Sequence, residues 1–116
     1  MNAAQVDLQQ LRIKHILYKS KVRSILYGGT FDETFFSHTG PVSFWINSTG
    51  LAKYGHEPEM KSLANLNNDL NIIALELIRL YQNGSIDIAH DGLKKIDKRS
   101  EEFLSLLSAL ETRLAI

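Results

Sequence analysis

Cysteine is absent from this 116-residue sequence, and with it go disulfides, thiolate metal ligands and thiol redox chemistry. Net charge is missing too. Thirteen Lys and Arg cancel thirteen Asp and Glu, which removes the electrostatic case for nucleic acid or an anionic membrane as the main partner. No apolar run approaches the roughly 20 residues that span a bilayer, so direct membrane insertion is not expected. No secretory signal opens the chain, and a cytoplasmic location is the expectation. Nucleophile elbows, phosphate-binding glycine loops, metalloprotease motifs and calcium loops are all lacking. The acidic residues are scattered along helix faces and form no acid/base pair, so catalysis is not expected. Asn47-Ser48-Thr49 matches a glycosylation acceptor, but without a secretory signal it reads as a chance match.

What is present is an ordinary globular balance, 44% hydrophobic and 22% charged, in a chain long enough to bury a core. One domain over residues 1–116 is expected. The strongest signal lies between Pro58 and Gly84, where Leu63, Leu66, Leu70, Ile73, Leu77 and Leu80 alternate at steps of three and four. At 3.6 residues per turn that rhythm places all six on one side of a helix. Pro58 suits a first turn and Asn83-Gly84 a stop. Residues 4–27 carry a second such stripe through Leu8, Leu11, His15, Tyr18, Val22 and Ile25, ended by Gly28-Gly29. A third runs from Ile86 through Ala89, Leu93, Ile96, Ser100, Phe103, Leu107 and Leu110 to Leu114, with Ser85 as its cap and Gly92 weakening its start by about 1 kcal/mol.

Residues 30–57 differ in kind, being rich in aromatics and broken by Gly40-Pro41, Gly50 and Gly55. An irregular connection with one or two helical turns is expected, the clearest at Pro41–Asn47, folded onto the bundle end by Phe35, Phe36, Phe44 and Trp45. The fold class is therefore all-α, an antiparallel four-helix-bundle-like domain with three long helices and a short helical insertion.

Polar residues interrupt the stripes at three places. Asn67 and Asn71 sit four apart, so their side chains project together; they are either solvated shoulder residues or the lining of a polar pocket. His15 stands where a leucine belongs and reads first as a hydrogen-bonded core residue. Ser100 either permits close helix approach or bonds back to its own helix. No two of His15, His38, His56 and His90 fall at a helical ligand spacing, and the last three read as surface residues.

The stretch LRIKHILYKSKVRSILYG, with His15, Tyr18 and Lys19-Ser20-Lys21-Val22, resembles the opening helix of the chemoreceptor zinc-binding domain, a small cytoplasmic sensory domain of bacteria. The family's Cys-x-Leu-Gly-x-Trp segment is matched by Gly40-Pro41-Val42-Ser43-Phe44-Trp45, its Pro-x-Met/Phe turn by Pro58-Glu59-Met60, and its His-x-x-x-His pair by Asn67 and Asn71. KKIDKRSEEFLSLLSALE is similar to its closing helix, and the resemblance spans about residues 10–112. It implies a site at His15, Gly40, Asn67 and Asn71, packed by Tyr18 and Trp45, where the family holds zinc with three histidines and a cysteine. Only His15 is of ligand type here, and amides are poor zinc ligands, so neither zinc nor another cofactor is expected. In its place His15 is expected to hydrogen-bond to Asn67 or Asn71.

The function so implied is a non-catalytic sensory or regulatory domain of bacterial signal transduction, of the chemotaxis or cyclic-dinucleotide type. It is expected to act as a homodimer partly joined by the C-terminal leucine seam, with a signalling protein or the rest of a longer receptor or enzyme chain as partner. Two alternatives stand beside it: a histidine phosphotransfer domain using His15 or His90, and a ligand-free helical dimerisation adaptor.

Overall fold

The computed structural model of the protein describes residues 1–115; Ile116, the last residue of the expected 1–116 domain, lies outside them. Every regular element among the described residues is helical. The chain runs through α1 (Ala3–Ile25), a 3-10 turn (Glu33–Phe36), α2 (Pro41–Trp45), a π turn (Ile46–Gly50), α3 (Leu51–Tyr54), α4 (Pro58–Gln82), α5 (Ile86–Asp91) and α6 (Leu93–Arg113). This is the antiparallel, four-helix-bundle-like architecture, with three long helices and a short helical insertion.

Side-chain pairs fix the directions of the long helices. Along α1 and α6, Arg12 meets Glu111, His15 meets Ser100 and Lys19 meets Asp97, so one helix rises as the other falls. Arg113 reaches Glu59 at the start of α4 while Gly92 lies against Leu77 further along it; α4 and α6 are likewise antiparallel. The N-terminus is pinned by a reciprocal cap. Asn2 Oδ1 accepts from the Gln5 N–H, Gln5 Oε1 accepts from the Asn2 N–H, and Asn2 Nδ2 donates to the Leu114 carbonyl. Together these satisfy backbone groups that a bare helix end leaves open.

In α1 the buried set is the expected one: Leu8, Leu11, His15, Tyr18, Val22 and Ile25. In α4 the buried line is displaced. It runs Met60, Leu63, Asn67, Leu70, Ala74, Leu77 and Ile78, while Leu66, Ile73 and Leu80 are only partly buried against the core. The reason is geometric: α4 packs against α6 and α5 on one side and also receives α2 and α3. Its most enclosed line therefore passes between the two neighbours, through Asn67 and the small Ala74.

The segment 30–57 is more regular than its glycines suggested. Residues 41–54 form an almost continuous helical run, interrupted only by the π turn. Gly50 ends that turn as a notch, because a Cβ there would come within 2.9 Å of Met60 Sδ and 3.0 Å of the Trp45 ring. Helical phase points Val42, Trp45 and Ile46 inward and leaves Phe44 60% exposed, so Phe44, expected to help fold the segment onto the bundle, does not. The segment is tied down at its end by Tyr54, whose hydroxyl donates to Asp7 Oδ2 at 2.7 Å beside Lys53. Burial and that carboxylate push the Tyr54 phenol up to about 12.

The last helix is two helices. Gly92 separates α5 from α6, and it does so by contact: a Cβ would lie 2.2 Å from Leu77 Cδ2. Ile86, expected in the stripe, is 45% exposed, and Ser85 precedes α5 without a side-chain cap bond. Gly84, at φ +90°, makes the turn that glycine takes at no steric cost. His90, expected at the surface, is half-buried: its ring stacks on Tyr27 at 4.0 Å and Nε2–H donates to the Leu26 carbonyl.

Candidate functional site: two polar breaks in the apolar seam

The polar residues predicted for one site fall into two separate groups. The first belongs to α1 and α6. His15 is 1% exposed, its Nε2 lies 2.7 Å from Ser100 Oγ, and its ring stacks on Phe103 with centroids 4.2 Å apart and planes 10° from parallel. Nδ1 is sealed without a hydrogen-bond partner. Burial, with a smaller contribution from the charge of Lys19, lowers the imidazole to about 4, so the ring is neutral at pH 7. The expected hydrogen bond from His15 to Asn67 or Asn71 is not made. The stripe of α1 turns His15 toward α6, where Ser100 is the first polar atom it meets. Ser100 thus serves neither its own backbone nor a bare close approach.

The second group joins α1, α2 and α4. Asn67 Nδ2 donates to Ser43 Oγ at 2.9 Å, Asn71 Nδ2 donates to the same oxygen at 3.4 Å, and the Tyr18 hydroxyl donates to Asn71 Oδ1 at 2.6 Å. Asn67 is 4% exposed and Asn71 half-buried, which decides for the polar pocket over the solvated shoulder. Burial raises the Tyr18 phenol well above its ordinary range, so it acts only as a neutral donor. Beside this network opens a cleft of about 350 Å³. Asn67, Asn68, Asn71 and Ser43 line one part of it, and Ile46 and Asn47 of the π turn another. Neither His15 nor Gly40 lines it.

Gly40 is buried at the start of α2 and carries no side chain to offer. A Cβ there would lie 2.0 Å from the Phe35 carbonyl oxygen, so this backbone admits glycine and no larger residue. Trp45 is 4% exposed and packs in the core with Nε1 unpartnered. Ser43, the hub of the second network, was missed in the sequence because it sits in the aromatic-rich stretch, where no periodicity marks an inward face. Ser100 was visible as a polar seam residue, but its partner was not.

Comparison with known proteins returns no matching family model, no matching curated protein and no matching solved structure. Zinc, which the resemblance implies for the family, does not fit these residues. His15 Nε2 is engaged by Ser100, both asparagine amides are turned onto Ser43, and position 40 cannot hold a ligand. Among the described residues no three His, Cys, Asp or Glu side chains gather as a ligand set. No described helix is long and apolar enough to cross a membrane.

Proposed function

We propose that this chain is a non-catalytic sensory or regulatory module of bacterial signal transduction, similar to the chemoreceptor zinc-binding domain, in which hydrogen bonds replace the metal. It would act in the cytoplasm as part of a chemoreceptor-like or cyclic-dinucleotide-signalling assembly. The observation that carries the reading is the pair Asn67 and Asn71. They fall where the resemblance puts the family's paired histidines, and both turn inward onto Ser43 beside a cleft. A non-catalytic role is supported by the burial of the His15–Ser100 pair, whose two members are each 1% exposed and so closed off from solvent.

The module is read as a homodimer, with one change from the sequence expectation. Phe103, Leu107 and Leu110 are fully buried inside the chain, so the C-terminal leucine seam is spent on the bundle itself. Ile13, Ile16 and Leu17 of α1 and Ile72 of α4 remain exposed and supply apolar surface for a second copy.

The phosphotransfer alternative is disfavoured by two contacts, since Nε2 of His15 is held by Ser100 and Nε2 of His90 by the Leu26 carbonyl. Metal content and solution mass of the purified protein test the main reading: a dimer without stoichiometric zinc is expected, and one zinc per chain would contradict it. Incubation with a phosphorylated response regulator should yield no phosphohistidine; its appearance would favour the alternative.

A further inference from the structure

We propose that the cleft between α2 and α4 binds a small neutral molecule through a lactam edge, an N–H donor beside a C=O acceptor, as carried by oxo-pyrimidine and oxo-purine bases. This rests on reading the cleft as the sensing site of the module. The inference follows from the hydrogen-bonding capacity that the network leaves unspent.

A serine hydroxyl has two acceptor sites and one donor. Both acceptor sites of Ser43 are taken, by Asn67 Nδ2 and Asn71 Nδ2, and its own proton is donated to no described group. Asn67 Nδ2 is used, while Asn67 Oδ1 accepts from no donor among the described residues. Among the described residues, the polar side-chain atoms sealed without a partner are His15 Nδ1 and Trp45 Nε1. Asn67 Oδ1 is not among them, so it stays open to solvent on a residue that lines the cleft. The floor thus offers a hydroxyl donor next to an amide acceptor. The complement of that pair is an acceptor next to a donor, which is a cis-amide or lactam edge. Asparagine amides read base edges by the same logic in nucleic-acid recognition.

Charge and shape narrow the class. No Lys, Arg, Asp or Glu lines the cleft, and its one ionisable side chain, His38, is exposed to solvent at the rim, so a charged ligand would lose hydration without a buried counter-charge. Phe36, Ile46, Ala64 and Leu51 provide apolar walls against which a flat ring can lie. The volume, about 350 Å³, is at the small end of ligand sites, which suits a single ring system.

The test is NMR titration of the isotope-labelled chain, following the side-chain amides of Asn67 and Asn71. Uracil and hypoxanthine are the probes, 1,3-dimethyluracil the matched ring with its N–H groups blocked, and glycerol and glucose the polyol controls. Uracil or hypoxanthine should shift both amides saturably. Dimethyluracil should bind at least about tenfold more weakly, the scale of one lost hydrogen bond to a desolvated partner. Ser43→Ala should reduce uracil or hypoxanthine affinity by a similar factor; the dimethyluracil comparison uses the unaltered protein and so does not depend on that variant folding. Equal binding of dimethyluracil would overturn the lactam assignment. Shifts from polyols but from neither base would overturn the ligand class and leave the cleft as a sensing site. Silence from every probe would overturn the assignment and withdraw the cleft from the sensory reading, whose metal and mass tests stand apart.

Discussion

His15 and Asn67 hold equivalent places in their helices, each a polar residue on a line of leucines, yet the molecule treats them in opposite ways. His15 is closed in. It has one hydrogen bond, one stacked aromatic and one nitrogen with no partner. Asn67 is at the edge of an opening, in a branched network of four side chains from three helices. The difference comes from the neighbour. Opposite His15 is a long helix that runs unbroken past it, whereas opposite Asn67 is the short α2 with its π turn, whose irregularity leaves space. A polar residue in a seam becomes a packing element or a site wall according to the regularity of the helix it faces.

That contrast can be broken most forcefully at Phe103. Phe103→Ala should cost about 3–5 kcal/mol, because the ring is fully buried and is the surface on which His15 lies; denaturant unfolding measures it. Acid should then act through the closed site. The folded-state value of His15 is depressed to about 4 from 6.5, so the unfolded chain binds the proton first as pH falls. Stability from this group is complete above about pH 6.5, is lost progressively as pH falls toward 4, and changes no further below. The loss is about 3 kcal/mol, and His15→Leu should flatten that part of the stability curve.

Two smaller effects sharpen the comparison. Ser100→Ala leaves both His15 nitrogens sealed without partners and should cost about 1–3 kcal/mol. Asn67→Ala removes a hydrogen bond at a wall where water can take its place, so about 0.5–1.5 kcal/mol is expected. Unfolding of the two variants side by side checks the order; a costlier change at Asn67 would mean that the cleft is as dry as the core.

The long helices were legible because heptad-like spacing reports burial directly, and α1 was read residue for residue. The line in α4 was read one step off. Spacing alone cannot say which of two overlapping stripes is enclosed when two neighbours share a helix, and the leucine-rich line through Leu66 and Ile73 outweighed the one through Asn67 and Ala74. Glycine misled in both directions. Gly50 looked like a break but sits within a nearly continuous helical run as a contact point for Trp45 and Met60, whereas Gly92, expected only to weaken its helix, divides α5 from α6 where it meets Leu77. The two networks were half legible: His15, Ser100, Asn67 and Asn71 stood out as polar seam residues, but pairing is a property of three-dimensional neighbours. The hub, Ser43, had no pattern around it to announce it.

The central claim is that the buried imidazole of His15 is held by its hydrogen bond to Ser100 and its stack on Phe103, and by no cation. Following the ring nitrogens of His15 by NMR through a pH titration, with and without added zinc, tests this directly. A neutral ring down to a midpoint near pH 4, unmoved by zinc, is the expected result. A midpoint at the ordinary histidine value, or a zinc-dependent change at either nitrogen, would contradict it.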